Sequence, residues 1–212
     1  MQTDPTVFVV DDDARMCRSL SRLLAAAGYQ VAEFTDPQEF LATYDTSRPG
    51  CLILDVRMTG MSGVDVQQEL IRRGASLPTI MISGCADIRT VVGTVQSGAI
   101  DFLEKPLDDQ VLVDRVADAI RRDRLGRQSV IAREKLCRAI DELTDRQRRV
   151  MELLVAGKTT KEIAQECSIS TKTVDYHRKA VFKQLGVESV VELVHLLNRL
   201  IDTTDDQTTA PE

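Results

Sequence analysis

Short apolar segments alternate with helical patterns over the first 120 residues of the chain. Each segment is four residues long, which is typical of a buried strand and too short for a buried helix. Parallel strands need long crossover connections, and the helical patterns between these segments supply them. The alternation therefore predicts an α/β fold, a doubly wound domain with a five-stranded parallel sheet. The predicted strands occupy residues 7–10, 31–34, 51–54, 79–82 and 100–103.

Five amphipathic helices are predicted around this sheet. Gly28 is placed to end the first helix, and Asp36 followed by Pro37 is placed to begin the second. The helices are otherwise marked by positions, all but Gln67 apolar, that recur at spacings of three and four residues. These positions are Leu20, Leu23, Leu24 and Ala27, then Val64, Gln67, Leu70 and Ile71, then Ile88, Val91, Val92 and Val95, and finally Leu112, Val113, Val116 and Ile120.

Polar residues follow four of the five predicted strands. Asp11 and Asp12 follow the first, Asp55 the third, Ser83 the fourth and Lys105 the fifth. The carboxyl ends of parallel strands meet at one edge of the sheet, where open α/β folds bind ligands. Clustered carboxylates repel one another unless a cation joins them, and their hard oxygen ligands favour Mg²⁺. No G-x-G-x-x-G motif follows the first strand, so a dinucleotide is not expected.

A carboxylate at such a site has a specific chemical use. Asp55 can accept a phosphoryl group as an acyl phosphate while Mg²⁺ neutralises the equatorial oxygens. Lys105 would supply a second positive charge, and Ser83 a hydroxyl donor. Each residue taken singly has an ordinary explanation as a cap, a turn residue or a solvated side chain. Their joint placement at the strand ends favours the phosphoryl site.

The net charge of −6 is spread unevenly. Residues 1–120 carry 10 Lys and Arg against 18 Asp and Glu, whereas residues 121–200 carry 17 against 11. An acidic front half fits a metal site, and a basic back half fits a polyanionic partner. Chance drift of charge along a two-domain chain would give the same totals. The asymmetry therefore needs support from motifs.

The cysteines and the N-terminus bear on the compartment. No two of the five cysteines lie within four residues of each other, which argues against zinc and redox motifs and fits a reducing cytosol. The N-terminus has neither a signal-peptide pattern nor an apolar run long enough to span a membrane. A cytoplasmic protein that does not bind membranes is expected.

Helix signals dominate the back half. Capping-box patterns begin at Thr144, Thr159 and Ser189, and Gly157 and Gly186 stand where helices should end. A short turn separates the second predicted helix from the third, as in a helix-turn-helix. The predicted helices cover residues 145–156, 160–166, 171–185 and 189–200.

The third of these helices has two distinct faces. Val174, Val181 and Leu185 form its inward stripe. Four of the five outward residues can donate hydrogen bonds to DNA or touch it, which suits a helix in the major groove. A solvated lysine face is the alternative, and the helix-turn-helix position favours DNA. The outward residues are Lys172, Asp175, Tyr176, Lys179 and Lys183, and Lys161 on the preceding helix is placed to hold a phosphate.

Four motifs of the front half together resemble the receiver domain of response regulators, which has the CheY-like fold. The resemblance covers residues 5–120 and implies that Asp55 is the phosphoacceptor. It also implies that Asp12 and Asp55 bind Mg²⁺ directly, that Asp11 acts through water, and that the backbone carbonyl of Arg57 completes the set. The motifs are DD at 11–12, LDVRM at 54–58, ISG at 82–84 and DFLEKP at 101–106.

The same resemblance assigns a switch. Ser83 would move towards the phosphoryl oxygens, and the ring of Phe102 would turn inward to fill the vacated space. It further implies a cis bond between Lys105 and Pro106. Thr59 departs from the proline usual in the family, so a more mobile loop is expected there. Cys85 stands where family members line the approach of hydrolytic water, so it is expected to influence the acyl-phosphate lifetime.

Four motifs of the back half resemble the LuxR/NarL-type DNA-binding domain over residues 140–200. The resemblance implies that Asp175, Tyr176 and Lys179 read bases. Gln147 replaces the usual glutamate, so a plain hydrogen bond is expected instead of an ion pair. Asp175 replaces a lysine common in the family, so an unusual site preference is expected. The residues implied to hold the DNA backbone are Lys161, Thr173, His177 and Lys183; the motifs are LTDRQRRVMELL at 143–154, KEIA at 161–164, TVDYH at 173–177 and LGV at 185–187.

Both halves together resemble a two-component response regulator of the FixJ/NarL type. The expected function is phosphorylation of Asp55 by a sensor histidine kinase, which promotes homodimerisation and regulation of transcription on promoter DNA. Activation, with RNA polymerase as a further partner, is the commoner outcome in the family. The expected parts are a receiver at 1–122, a helical linker at 123–140, a helix-turn-helix domain at 141–200 and a disordered tail at 201–212.

Three alternatives remain at this point. The receiver could serve only to dimerise a DNA-binding protein that is never phosphorylated. The site could belong to a phosphatase with an aspartyl intermediate, although Arg57 stands where such enzymes usually carry a second acid; we therefore expect no enzyme. The linker is interpreted as a solvated helix face, with a dimer-forming helix as the alternative.

Overall fold

A computed structural model describes residues 4–84, 93 and 98–205 of the chain. The chain divides into two compact units, Met1–Gln128 and Ser129–Glu212. Among the described helices, none is both long and apolar enough to cross a bilayer.

The first unit is built on a five-stranded parallel sheet with the order β2-β1-β3-β4-β5. Each strand agrees with its predicted position to within one residue at either end, which confirms the predicted doubly wound sheet. Short apolar runs locate these strands because both faces of a parallel sheet are covered. The strands are β1 Thr6–Val10, β2 Gln30–Phe34, β3 Gly50–Asp55, β4 Thr79–Ser83 and β5 Asp101–Glu104.

Helices cover both faces of the sheet, and strand alternation divides the core into two clusters. Val7 and Val9 of β1 face the cluster that includes residues of α1 and α4, whereas Phe8 and Val10 face the cluster that includes residues of α2 and α3. The helix predicted from Ile88, Val91, Val92 and Val95 lies outside the described residues. The helices of known bounds are α1 Ala14–Ala26, α2 Pro37–Thr43, α3 Gly63–Arg72 and α4 Asp109–Asp141.

One predicted core position of α3 is wrong. Ile71 is 53% exposed, and Val66 is buried instead, together with Gln67 and Leu70. Val66 and Leu70 are four residues apart and define the inward stripe. Ile71 lies a further 100° around the helix, which moves its side chain off that stripe.

The second unit contains the four helices predicted for the back half. The helix-turn-helix pair is α6 and α7, and Gly186 ends α7 in the left-handed conformation with φ of 68°. Helix α8 continues to Asp205, beyond the predicted end at residue 200, and residues 206–212 of the predicted tail lie outside the described residues. The helices are α5 Asp145–Val155, α6 Thr160–Glu166, α7 Thr171–Leu185 and α8 Val190–Asp205.

Capping explains where these helices begin. Complete capping boxes form between Thr144 and Gln147 and between Thr159 and Glu162. At the third predicted box, Ser189 Oγ accepts from the Glu192 N–H at 3.1 Å, but the Glu192 carboxylate accepts from the N–H of Glu188 at 2.9 Å. Ser189 and Glu192 therefore both cap the helix, but Glu192 binds the N–H of Glu188 and not that of Ser189.

Helix α4 begins in the first unit and ends in the second. In the first unit Asp123 is buried and accepts a hydrogen bond from the Gly50 N–H at 3.0 Å. Arg127 pairs with Asp123 at 2.9 Å and donates to three backbone oxygens of residues 46–48. In the second unit Leu136, Ala139 and Ile140 pack against its core. The segment predicted as a linker therefore includes residues that pack with each unit.

Candidate functional site

Four of the predicted site residues lie at one edge of the sheet. Asp11 directly follows β1, Asp55 ends β3, Ser83 ends β4 and Lys105 directly follows β5. The parallel arrangement brings these strand ends together. The chain at Gly63 also passes very close to the backbone of Asp55: a Cβ atom on Gly63 would lie 2.3 Å from the Asp55 backbone oxygen, so a side chain would not fit there.

An ion-pair network joins the strand ends. Lys105 Nζ donates to Asp11 Oδ2 at 2.8 Å and to Asp55 Oδ1 at 2.7 Å. Burial raises the pKa of the Asp55 carboxyl, and the bond from Lys105 only partly opposes this. Burial would lower the pKa of Lys105, but its bonds to the two carboxylates outweigh that effect and raise it. The ammonium group therefore offsets part of the negative charge of two buried acids.

The predicted metal ligands form a carboxylate cluster. Asp11, Asp12 and Asp55 each offer one ligand atom, and these atoms lie within 4.8 Å of one another. The Arg57 N–H donates to Asp55 Oδ2 at 2.8 Å, so the backbone of Arg57 lies against the same carboxylate. Oxygen ligands that include several carboxylates are what Mg²⁺ and Ca²⁺ prefer. The donor set therefore fits the divalent cation that the sequence suggested.

Asp12 has a partner that was not among the predicted site residues. Its Oδ2 atom accepts from the Thr59 N–H at 2.8 Å and from the Thr59 hydroxyl at 2.7 Å. These two bonds, with the hydroxyl contributing most, lower the pKa of Asp12. The departure from proline at position 59 suggested only a more mobile loop, whereas the structure holds Thr59 against Asp12. The sequence signal that could have identified Thr59 is a hydroxyl side chain four residues after Asp55, in the turn next to the predicted carboxylate cluster.

The two predicted switch residues lie on neighbouring strands. Ser83 is fully buried and pairs with Glu104, and its backbone oxygen accepts from the Lys105 N–H at 2.8 Å. Phe102 pairs with Met81, is half-buried and packs against the α2 and α3 cluster. The Lys105–Pro106 bond is cis, as the resemblance implied. Cys85 lies outside the described residues.

The outward face of α7 carries the residues predicted to meet DNA. Lys172, Tyr176, Lys179 and Lys183 are exposed, Tyr176 by 69%, whereas Val174, Val181 and Leu185 are buried as predicted. Lys161 on α6 is also exposed. Burial of the apolar stripe fixes the rotation of α7 and turns its basic stripe to the surface of the second unit.

The less usual residues of this face have distinct surroundings. Asp175 pairs with Arg178 at 3.2 Å on the same helix, so an adjacent cation balances its negative charge. The His177 ring lies edge-on to Tyr176, and its Nδ1 atom is buried without a hydrogen-bond partner among the described residues. Thr173 Oγ1 is 2.8 Å from Ser170 Oγ at the start of the helix. The carboxylate at position 175, for which the sequence predicts an unusual site preference, thus has a cation beside it on the same helix.

Gln147 is engaged at the start of α5. Its Oε1 atom accepts from the Thr144 N–H at 2.8 Å and from the Thr144 hydroxyl at 2.9 Å. These bonds form one half of a capping box. Because Thr144 is uncharged, they do not stand in for an ion pair, and the replacement of an ion pair at position 147 stays a prediction.

Comparison with known proteins gives the same division of the chain. The family model for the response regulator receiver domain matches residues 7–117, and the model for bacterial regulatory proteins of the luxR family matches residues 141–197. Nodulation protein W of Bradyrhizobium diazoefficiens is 37% identical over 93% of this chain and 87% of that protein. The transcriptional regulatory protein FixJ of the same organism is 35% identical over 94% and 97%. A solved structure of the response regulator StyR is similar with a TM-score of 0.83, at 36% identity, over 93% of this chain and all of that one.

Proposed function

Because the chain belongs to the two-component response regulators with a receiver domain and a LuxR-type DNA-binding domain, we propose that phosphorylation of Asp55 controls its binding to promoter DNA. The phosphoryl group would come from a sensor histidine kinase. The observation that carries the proposal is the Lys105 ammonium group between Asp11 and Asp55, beside a cluster of three carboxylates.

Each group at the site has a defined part in the proposed reaction. The Asp55 carboxylate attacks phosphorus, a new bond forms from its oxygen, and the bond from phosphorus to the donor atom breaks. Asp12, Asp55 and the Arg57 backbone carbonyl would hold Mg²⁺, with Asp11 acting through water. When bound, the cation supplies positive charge to the equatorial phosphoryl oxygens. Lys105 lies close enough to Asp55 to contact those oxygens as well.

Two neighbouring residues would convert this chemistry into a change of surface. Ser83 lies at the end of β4, next to the strand that ends at Asp55, and its hydroxyl would bind the phosphoryl group. Phe102 on β5 is only half-buried, so an inward rotation of its ring would bury more apolar surface. Two copies of the chain would then form a homodimer through the altered surface around β5 and α4. Two DNA-binding domains in one dimer bind paired half-sites more tightly than one.

The second unit would place α7 in the major groove. Asp175, Tyr176 and Lys179 are the proposed base-contacting residues, and the exposed lysines on either side would contact phosphates. The pairing of Asp175 with Arg178 supports this assignment, because it weakens the repulsion between that carboxylate and the DNA backbone. The proposed backbone contacts are Lys161, Lys172, Thr173, His177 and Lys183. Transcription activation through RNA polymerase is the outcome we propose.

The proposal is tested by labelling and footprinting the full chain. A small phosphodonor with Mg²⁺ should add one phosphoryl group to the wild type and none to Asp55→Asn, and EDTA should abolish the labelling. Footprints on genomic fragments should strengthen and show paired half-sites after labelling. Lys179→Ala should weaken the footprint without changing the labelling.

Two results would overturn the proposal in different ways. Equal labelling of wild type and Asp55→Asn would remove the phosphoacceptor role. Footprints that do not respond to the phosphodonor, on protein that is fully labelled, would mean that phosphorylation does not control DNA binding.

A further inference from the structure

Thr59 holds one oxygen atom of Asp12 with two hydrogen bonds. The backbone N–H donates to Asp12 Oδ2 at 2.8 Å, and the hydroxyl donates to the same atom at 2.7 Å. A carboxylate oxygen has two lone pairs, so these bonds use the acceptor capacity of Oδ2. A cation that reaches Asp12 without displacing Thr59 is therefore met by Oδ1.

Asp12 depends on such a partner more than the other two acids do. Asp11 and Asp55 are buried and are held by Lys105, whereas Asp12 is exposed. An exposed carboxylate without partners samples several rotamers, and a ligand that selects one of them loses part of its binding energy to ordering. Thr59 removes this cost before the cation arrives.

The conformation that Thr59 holds is already suited to a shared cation. With both hydrogen bonds in place, Asp11, Asp12 and Asp55 present ligand atoms within 4.8 Å of one another. The loop that carries Thr59 is itself fixed to the end of β3, because the Gly63 N–H donates to the Val56 oxygen at 3.1 Å. Thr59 therefore sets the position of Asp12 relative to the carboxylate of Asp55.

We propose that Thr59 is a positioning residue for the divalent cation, which orients Asp12 so that its Oδ1 atom completes the carboxylate site. This inference rests on the proposed metal site at Asp12 and Asp55. The side chain of Thr59 is uncharged, so its effect on the cation comes from orientation and leaves the net charge of the site unchanged.

The test compares cation affinity in three variants of the full chain. Thr59→Val keeps the backbone donor and the shape but removes the hydroxyl, Thr59→Ser keeps both donors, and Thr43→Val removes a hydroxyl that donates to the Glu39 oxygen on α2, outside the cluster. Mn²⁺ binding is measured from the electron paramagnetic resonance signal of the free ion, and Mg²⁺ binding by competition with Mn²⁺. Without the hydroxyl bond, the cation must itself order the Asp12 side chain, so both cations should bind about three- to tenfold more weakly in Thr59→Val. The other two variants should stay within about twofold of wild type.

The outcomes separate this inference from the proposed function. A wild type that binds neither cation overturns the metal site and the role of Thr59 with it. Normal wild-type binding with unchanged affinity in Thr59→Val overturns the positioning role alone. Tighter binding in Thr59→Val also overturns it, since the two bonds would then compete with the cation. Equal melting temperatures of the cation-free variants would show that a loss of affinity is local to the site.

Discussion

Removal of the Arg127 side chain should destabilise the first unit. Arg127 pairs with the buried carboxylate of Asp123, and that carboxylate binds the backbone N–H of Gly50, 73 positions away in the sequence. Asp123 has a side chain only 3% exposed, and it accepts from the Gly50 N–H at 3.0 Å and from Arg127 Nε at 2.9 Å. Arg127 also donates to the backbone oxygens of Thr46, Ser47 and Arg48. Arg127→Ala therefore leaves a buried charge without its cation and three carbonyl groups without their donor.

The size of the effect follows from the burial of this pair. Breaking a buried ion pair by removing one partner costs about 3–5 kcal/mol. The Arg127 side chain is 28% exposed, so water compensates in part, and we expect a loss of about 2–4 kcal/mol. The control is Arg121→Ala on the same helix, whose pair with Asp118 has side chains 70% and 45% exposed. Exposed pairs of that kind contribute about 0–0.5 kcal/mol.

The assay must report on the first unit, because the chain has two units and need not unfold in one step. Hydrogen exchange of the Gly50 amide, measured in the full chain at increasing urea concentrations, meets this need. Asp123→Asn in the Arg127→Ala background removes the buried charge but keeps an acceptor for Gly50, so it should recover part of the loss. A buried, stabilising ion pair between Arg127 and Asp123 is refuted if Arg127→Ala costs no more than Arg121→Ala, or if Asp123→Asn makes the loss larger.

Two substitutions and one alkylation experiment test other parts of the structure. Gly63→Ala places a carbon atom 2.3 Å from the Asp55 backbone oxygen, so phosphodonor labelling of Asp55 should fall sharply; normal labelling would contradict that contact. Lys105→Met removes the ammonium group that competes with a cation for the carboxylates, so Mn²⁺ should bind about tenfold more tightly while labelling falls; unchanged binding would exclude the competition. Burial raises the pKa of the Cys51 thiol to about 12, so its thiolate is scarce at about pH 8, whereas Cys137 is exposed. Iodoacetamide at that pH should alkylate Cys137 and spare Cys51 until the protein is unfolded, and similar rates in folded protein would refute the role of burial.

Local patterns in the sequence were sufficient to locate the described strands and helices, apart from the end of α8. The strands β1, β3 and β4 are buried on both faces, so runs such as residues 51–54 could be located without any knowledge of their neighbours. The helices of the second unit begin at side chains that bond to their own backbone, so Thr144 and Thr159 marked their starts. The convergence of Asp11, Asp55 and Lys105 was also predictable, because the carboxyl ends of parallel strands must share an edge.

Two other contacts between distant parts of the chain were decided by the tertiary structure alone. Thr59 donates to Asp12, 47 positions away in the sequence, and the Gly50 amide donates to Asp123, 73 positions away. Neither contact leaves a periodic pattern in the sequence. The exposure of Ile71 likewise depends on how α3 is rotated against the sheet. A sequence pattern records which side of an element is apolar and how its backbone is capped, because these properties depend on near neighbours. Which hydroxyl reaches which carboxylate depends on the paths of two loops, and the packing of the whole domain fixes those paths.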